Sequence, residues 1–189
     1  MRFLIAFLIV LIVVVQFKYV LKSPPDFHII QTSLSQMNPD LFFEKQPIVI
    51  DDRIEKVDEL VKTVFKFYYT NQSRVSVPSE IVSDPEMFRQ VLAKNIVVYN
   101  STEEKQTVRV LHPKHQNELQ FLKLVEKTYA YRLGKMTEDN SPRLGADIIL
   151  HPHQTLILPC NWIYQVNTVM EEIALYDFLY GMASYFRSK

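Results

Sequence analysis

Four of the five histidines fall in two tight groups, His112-Pro113-Lys114-His115 and His151-Pro152-His153. Imidazole is the commonest metal ligand, and side chains two apart on a strand share a face, the geometry a bidentate pair needs. A nonstandard metal site built from His112, His115, His151 and His153 is therefore one chemistry open to this chain. Two features oppose it. Pro152 suits a strand end better than a sheet centre, and no carboxylate stands at a ligand-like spacing beside either group. Solvated histidines near turns are the simpler expectation.

Other reactive types carry less. Cys160 is the lone cysteine and lies between Pro159 and Asn161, without the basic neighbours that favour a thiolate. It reads as a small turn residue. A single thiol also excludes an internal disulfide framework and a multi-cysteine zinc site. Asp51-Asp52 and Glu103-Glu104 are adjacent acids, but neighbours on a strand or loop point apart, so they read as solvated surface. The three glycines, Gly134, Gly145 and Gly181, are too far apart for a phosphate-binding loop or a dinucleotide fingerprint. On these grounds no catalytic residue and no cofactor is assigned.

The 189 residues, 48% of them hydrophobic and with a formal charge of zero, have room for one globular domain of ordinary size. Setting aside Arg2, Lys18 and Lys22 leaves a small acidic excess, with bases and acids interleaved as in Arg53-Ile54-Glu55-Lys56. Nucleic acid is therefore not an expected partner, since a phosphate backbone demands a concentrated basic surface.

Phe3 to Val15 is an unbroken apolar run, extended to Leu21 with only Gln16 and Lys18 interrupting it. Taken to Leu21, the stretch makes about 28 Å of helix, close to the roughly 30 Å hydrocarbon core of a bilayer. Lys18 and Lys22 can snorkel to the headgroups. Residues 1–22 are accordingly expected to be a single-pass transmembrane anchor, with the lipid bilayer as partner. The side is open, because Arg2 and the amino terminus balance Lys18 and Lys22. A cleaved signal peptide is the competing reading, but no small-x-small site follows the run. Asn71-Gln72-Ser73 and Asn100-Ser101-Thr102 are glycosylation sequons that matter only in a lumenal domain.

Residues 23–189 read as a single domain behind a stiff spacer, Ser23-Pro24-Pro25-Asp26. Asn38-Pro39 opens a short helix that runs into a strand over 46–50. An amphipathic helix is expected over 53–69, where Ile54, Val57, Val61, Val64, Phe65 and Tyr68 recur at three and four. Asp84-Pro85-Glu86 carries the start signals of a second helix, ending near Asn95. A third apolar stripe runs through Leu119, Leu122, Leu124, Val125 and Tyr129. Strands are expected at 96–99, 107–111, 147–150, 155–158 and 162–166, with a last one reaching about Phe178. Helices early and strands late predict an α+β fold, with helices packed on a mainly antiparallel sheet.

The stretch from Pro152 to Val166, with Leu156-Ile157-Leu158-Pro159 followed by Trp162-Ile163-Tyr164, resembles the late strand pair of the cupin-like, JmjC-related double-stranded β-helix proteins. Gln46-Pro47-Ile48-Val49-Ile50 resembles that family's first strand, and Val108 to Pro113 its middle strand. The resemblance implies a small cupin-like domain with packed helices. Active members hold Fe(II) through a His-x-Asp/Glu pair and a second histidine just after the tryptophan, leaving positions open for oxygen and 2-oxoglutarate. Here Tyr164 stands in the place of that second histidine, and the only histidine before Val108 is His28, followed by Ile29-Ile30.

The resemblance thus implies the shell of the fold without the oxygenase. The expected protein is a membrane-anchored, non-catalytic cupin-like domain that acts as a binding or structural module, with lipid and an unidentified protein as partners. Trp162 and Tyr164 would floor a small apolar pocket left by the lost centre. The alternative is a membrane-tethered, metal-dependent oxygenase-like enzyme that uses His112, His115, His151 and His153. A third reading is a membrane-proximal scaffold on an unrelated α+β fold.

Overall fold

The computed structural model describes residues 2–22, 24–65, 73–76, 86–125, 127–133, 145–167 and 170–176. In chain order the elements are α1 (Arg2–Leu21), β1 (Ile30–Thr32), β2 (Ile48–Ile50), α2 (Val57–Phe65), β3 (Ser73–Ser76), β4 (Phe88–Val91), β5 (Asn95–Tyr99), β6 (Gln106–Leu111), β7 (Leu119–Val125), β8 (Thr128–Leu133), β9 (Gly145–Leu150), β10 (Thr155–Pro159), β11 (Ile163–Val166) and β12 (Glu171–Tyr176). Short 3-10 turns occupy Leu34–Gln36, Pro39–Glu44 and Pro113–Glu118.

The strands form two six-stranded sheets, ordered β1-β2-β10-β5-β12-β3 and β7-β8-β4-β11-β6-β9. Only β1 and β2 pair in parallel. From β3 to β6 and again from β9 to β12 successive strands alternate between the sheets, with β3, β5, β10 and β12 in the first and β4, β6, β9 and β11 in the second, while β6 to β9 all lie in the second. Strand alternation then sorts the side chains. Ile96, Val98, Leu156, Leu158 and Ala174 of the first sheet meet Val91, Val108, Val110, Ile148, Leu150 and Tyr164 of the second in one buried cluster. The intervening residues Val97, Tyr99 and Ile157 face the other way, against Val57, Leu60, Val61 and Phe65 of α2. On the outer side of the second sheet, Phe88, Leu111, Ile163, Tyr129 and Tyr131 form a further cluster.

The architecture is β-rich, which corrects the α+β expectation. Two of the expected helices are strands. The segment after Pro85 forms β4, in which Phe88, Arg89, Gln90 and Val91 are all buried. A segment covered on both sides is decided by tertiary pairing rather than by local start signals. The stripe from Leu119 to Tyr129 is the β7–β8 pair, with a bulge between Phe121 and Lys123. That bulge shifts the alternation and gives apolar spacings the look of a helical period. Of the helix expected over 53–69, Val57–Phe65 is observed, and 66–69 lie outside the described residues.

The transmembrane, single-pass expectation for residues 1–22 is also corrected. No helix among the described residues is long and apolar enough to cross a membrane. The unbroken apolar run of α1, Phe3 to Val15, makes about 20 Å of helix against a core of roughly 30 Å.

Candidate functional site

The β6–β9 ladder decides where the histidines stand. It pairs Gln106 with Leu150 at one end and Leu111 with Gly145 at the other. His112 and His115 therefore follow one end, and His151 and His153 the opposite end. The ladder between them is about 17 Å long at 3.4 Å per residue. No group of three or more His, Cys, Asp or Glu side chains that could hold a metal ion occurs among the described residues.

The four clustered histidines make separate contacts. His112 is buried; its Nδ1 accepts from Lys114 N at 3.1 Å, so Nε2 carries the proton and donates to Pro24 O at 3.0 Å. His115 Nδ1 lies 2.6 Å from Glu118 Oε1. His151 is exposed, and its backbone N–H donates to Gln154 Oε1. His153 adopts a left-handed φ of 63°. The Tyr99 hydroxyl gives its one proton to Ile54 O at 2.6 Å, so it accepts from His153 Nδ1 at 2.9 Å. His153 Nε2 faces Glu103 Oε1 at 3.0 Å. Both ring nitrogens are thus engaged, one by a phenol and one by a carboxylate. The hydrogen bond from His153 holds the Glu103 carboxyl below its ordinary range. This is a polar latch between two loops, with no open coordination position on its ring.

The same end of the β6–β9 ladder settles the Asn100 sequon. Asn100 is fully buried, and its Nδ2 donates to Glu104 O, Leu150 O and His151 O at 2.8, 3.1 and 3.1 Å. Its Oδ1 accepts from Thr102 N and Thr102 Oγ1. The nitrogen that a glycan would need is committed to the fold. Asn71 and Gln72 of the other sequon lie outside the described residues.

The most unusual chemistry sits between the sheets. Tyr164 on β11 pairs in register with Arg89 on β4, so both side chains enter the intersheet layer. Glu172 joins them from β12, at the position between the inward-facing Met170 and Ala174. The Arg89 Nη1 donates to Glu172 Oε1, and the Tyr164 hydroxyl donates to Glu172 Oε2 at 2.6 Å. Arg89 and Tyr164 have no exposed surface, and Glu172 is buried with them. Burial, and then the charge of Glu172, pushes the Tyr164 phenol well above its ordinary range. Behind β4, Gln90 donates to Asn161 O and accepts from the Tyr131 hydroxyl, fixing the turn that leads into β11.

Trp162, one residue before β11, is fully buried as well. Its Nε1 donates to Lys45 O at 2.8 Å, and its ring lies 5.3 Å from both Phe27 and His112. Trp162 and Tyr164 both belong to the intersheet cluster, with Phe27 packed over it.

An Fe(II) centre of the family type does not fit these residues. A metal beside Tyr164 would share a low-dielectric layer with the Arg89 guanidinium, which repels a cation. The one carboxylate there, Glu172, already serves Arg89 and Tyr164. The sequence reading missed Arg89 and Glu172. The available signal was an acid at an inward position, in step with Met170, Ala174 and Tyr176. The chain matches no protein-family model and no curated protein.

Proposed function

We propose that the chain is a non-catalytic binding module, with an internal ion pair where the cupin-like, JmjC-related proteins that its sequence resembles hold a metal. One observation carries this reading: in the intersheet layer the Arg89 guanidinium is paired with Glu172, and Tyr164 donates to the second oxygen of the same carboxylate. A guanidinium is a fixed cation with no redox chemistry and no exchangeable coordination position. It can hold facing strands together, and it cannot activate oxygen.

Lipid is the proposed partner of α1. The side chains from Phe3 to Val15 are all exposed and all apolar, so this stretch has no polar face to turn towards water. Flotation of the full chain with phosphatidylcholine vesicles tests the attachment. Binding is expected, and it is lost in the double variant Leu8→Lys, Ile12→Lys.

The catalytic question is tested by oxygen uptake of the full chain with ferrous ion and 2-oxoglutarate. The expected rate equals that of buffer. Uptake that requires both protein and 2-oxoglutarate overturns the reading.

A further inference from the structure

The segment between α1 and β1 is bound to the domain in the manner of a ligand. Three carbonyl oxygens at alternate positions accept from side chains of the domain. Lys45 Nζ donates to Lys22 O at 3.0 Å, His112 Nε2 donates to Pro24 O at 3.0 Å, and Gln46 Nε2 donates to Asp26 O at 2.7 Å. The amide of His28 returns a bond to Gln46 Oε1. A spacing of two is the repeat of an extended chain, and Pro24-Pro25 holds the segment extended. Between the last two anchors, Phe27 lays its ring 5.3 Å from Trp162.

We propose that the groove formed by Lys45, Gln46, His112 and Trp162 is a peptide-binding site, with the chain's own residues 22–29 as its resident occupant. Its ligand class is an extended polypeptide segment carrying an aromatic residue shortly after a proline pair. The donors read main-chain carbonyls, which every sequence offers, and the Trp162 face supplies the selectivity. The donors are prearranged by the domain itself. Lys45 ends the 3-10 turn in a left-handed conformation while its carbonyl takes the indole N–H of Trp162, and Lys114 N fixes the His112 tautomer that donates outwards.

The strap is held lightly enough to exchange. Pro25, Asp26 and His28 are exposed, and the described strap joins a strand ladder only at Ile30. A handful of side-chain hydrogen bonds, the burial of Pro24 and the packing of Phe27 and Ile29 against the core must offset the entropy of ordering the whole segment. This inference rests on the reading of the domain as a binding module and names the class of partner.

Trp162 is the only tryptophan in the chain, so its fluorescence reports occupancy of the groove directly. The probe is a synthetic peptide with the sequence of residues 22–29, which contains no tryptophan, titrated into the full chain and into its Phe27→Ala variant. The variant's emission is expected at longer wavelength and is restored by the peptide. The peptide is expected to bind the variant roughly tenfold more tightly than the parent, because the resident strap competes in the parent. A peptide that itself carries Phe27→Ala is expected to bind at least tenfold more weakly.

Equal affinity for parent and variant, or no binding to either, overturns the proposal. The Gln46→Ala variant, which weakens the strap through its backbone bonds instead, is expected to behave like Phe27→Ala. If circular dichroism shows both variants unfolded, the strap is core rather than ligand, and the proposal is equally overturned. None of these outcomes touches the oxygen-uptake test, so failure of the peptide site and failure of the non-catalytic reading are separable.

Discussion

Arg89 on β4 and Glu172 on β12 come from different sheets and meet as an ion pair in the layer between them, where neither guanidinium nor carboxylate is open to water. Tyr164 closes the arrangement by donating to the second carboxylate oxygen. Burying two charges is costly, and their attraction repays the cost only when the remaining polar atoms are satisfied. The phenol of Tyr164 supplies part of that satisfaction.

Removing one member should therefore hurt more than removing both charges. Arg89→Met and Glu172→Leu are each expected to lower unfolding stability by about 3–5 kcal/mol, because each leaves a partner buried without its counterpart. The double variant Arg89→Met, Glu172→Leu is expected to lie closer to the parent than the sum of the singles. Urea denaturation of all four proteins measures the cycle, and strict additivity would count against the pairing.

Tyr164→Phe is a milder change. It takes the donor from Glu172 Oε2 while keeping nearly the same shape, so the expected cost is about 1–3 kcal/mol. Thermal melting compared with a Tyr99→Phe control, in which Ile54 O loses its donor, calibrates the effect.

The alkaline limb of the stability curve follows from the buried phenols. Burial pushes the Tyr131 pKa up to about 12 and raises those of Tyr164 and Tyr99 as well. Their contribution is fully present below the ordinary phenol value near 10. It is lost as pH rises through the folded values, because the unfolded chain ionises first. For Tyr131 alone the loss is about 2 kcal/mol by pH 12. Tyrosinate absorbance should show a class of phenols that ionises only with unfolding, and a single normal titration would contradict this.

Acid should act weakly. The hydrogen bond from Arg109 lowers the Asp147 pKa, and the bond from His153 lowers that of Glu103, so their stabilisation is present above the ordinary carboxylate range and lost as pH falls through the folded values. Both groups lie at the surface. Arg109→Gln is expected to change stability by no more than about 1 kcal/mol at neutral pH, a difference that vanishes below the acid limb.

Gly145 is expected to tolerate no side chain. A Cβ there would stand 2.5 Å from Val110 O on the paired strand and 3.1 Å from Leu111 Cδ1. The obstacle is backbone, which cannot swing aside, so Gly145→Ala should cost about 1–3 kcal/mol by denaturant titration.

The strands were legible where alternation was clean. Residues 96–99, 107–111 and 155–158 each show β-branched residues between turn signals, and the structure extends them by a residue or so. The Asn38-Pro39 start is a capped 3-10 turn, with Asn38 Oδ1 accepting from Asp40 N. Sequence failed at β4 and at β7–β8, where strand pairing overrode a cap signal and a bulge disturbed the alternation. It failed at the interior for a different reason. Arg89 and Glu172 are far apart in the chain, and although Glu172 keeps step with Met170, Ala174 and Tyr176, nothing local joins it to Arg89 until the sheet registers are known. The histidine clusters stood out in sequence because they are compact, yet the β6–β9 ladder holds them at opposite ends.

Metal content tests the central claim most directly. The full chain is to be incubated in turn with excess ferrous, zinc and nickel ions under anaerobic conditions, desalted, and assayed by elemental analysis beside the Arg89→Met, Glu172→Leu variant. Far less than one equivalent of any metal is expected in both proteins, since a guanidinium fills the interior of the parent and the variant has lost the one carboxylate beside it. One equivalent of tightly held metal in the parent would contradict it.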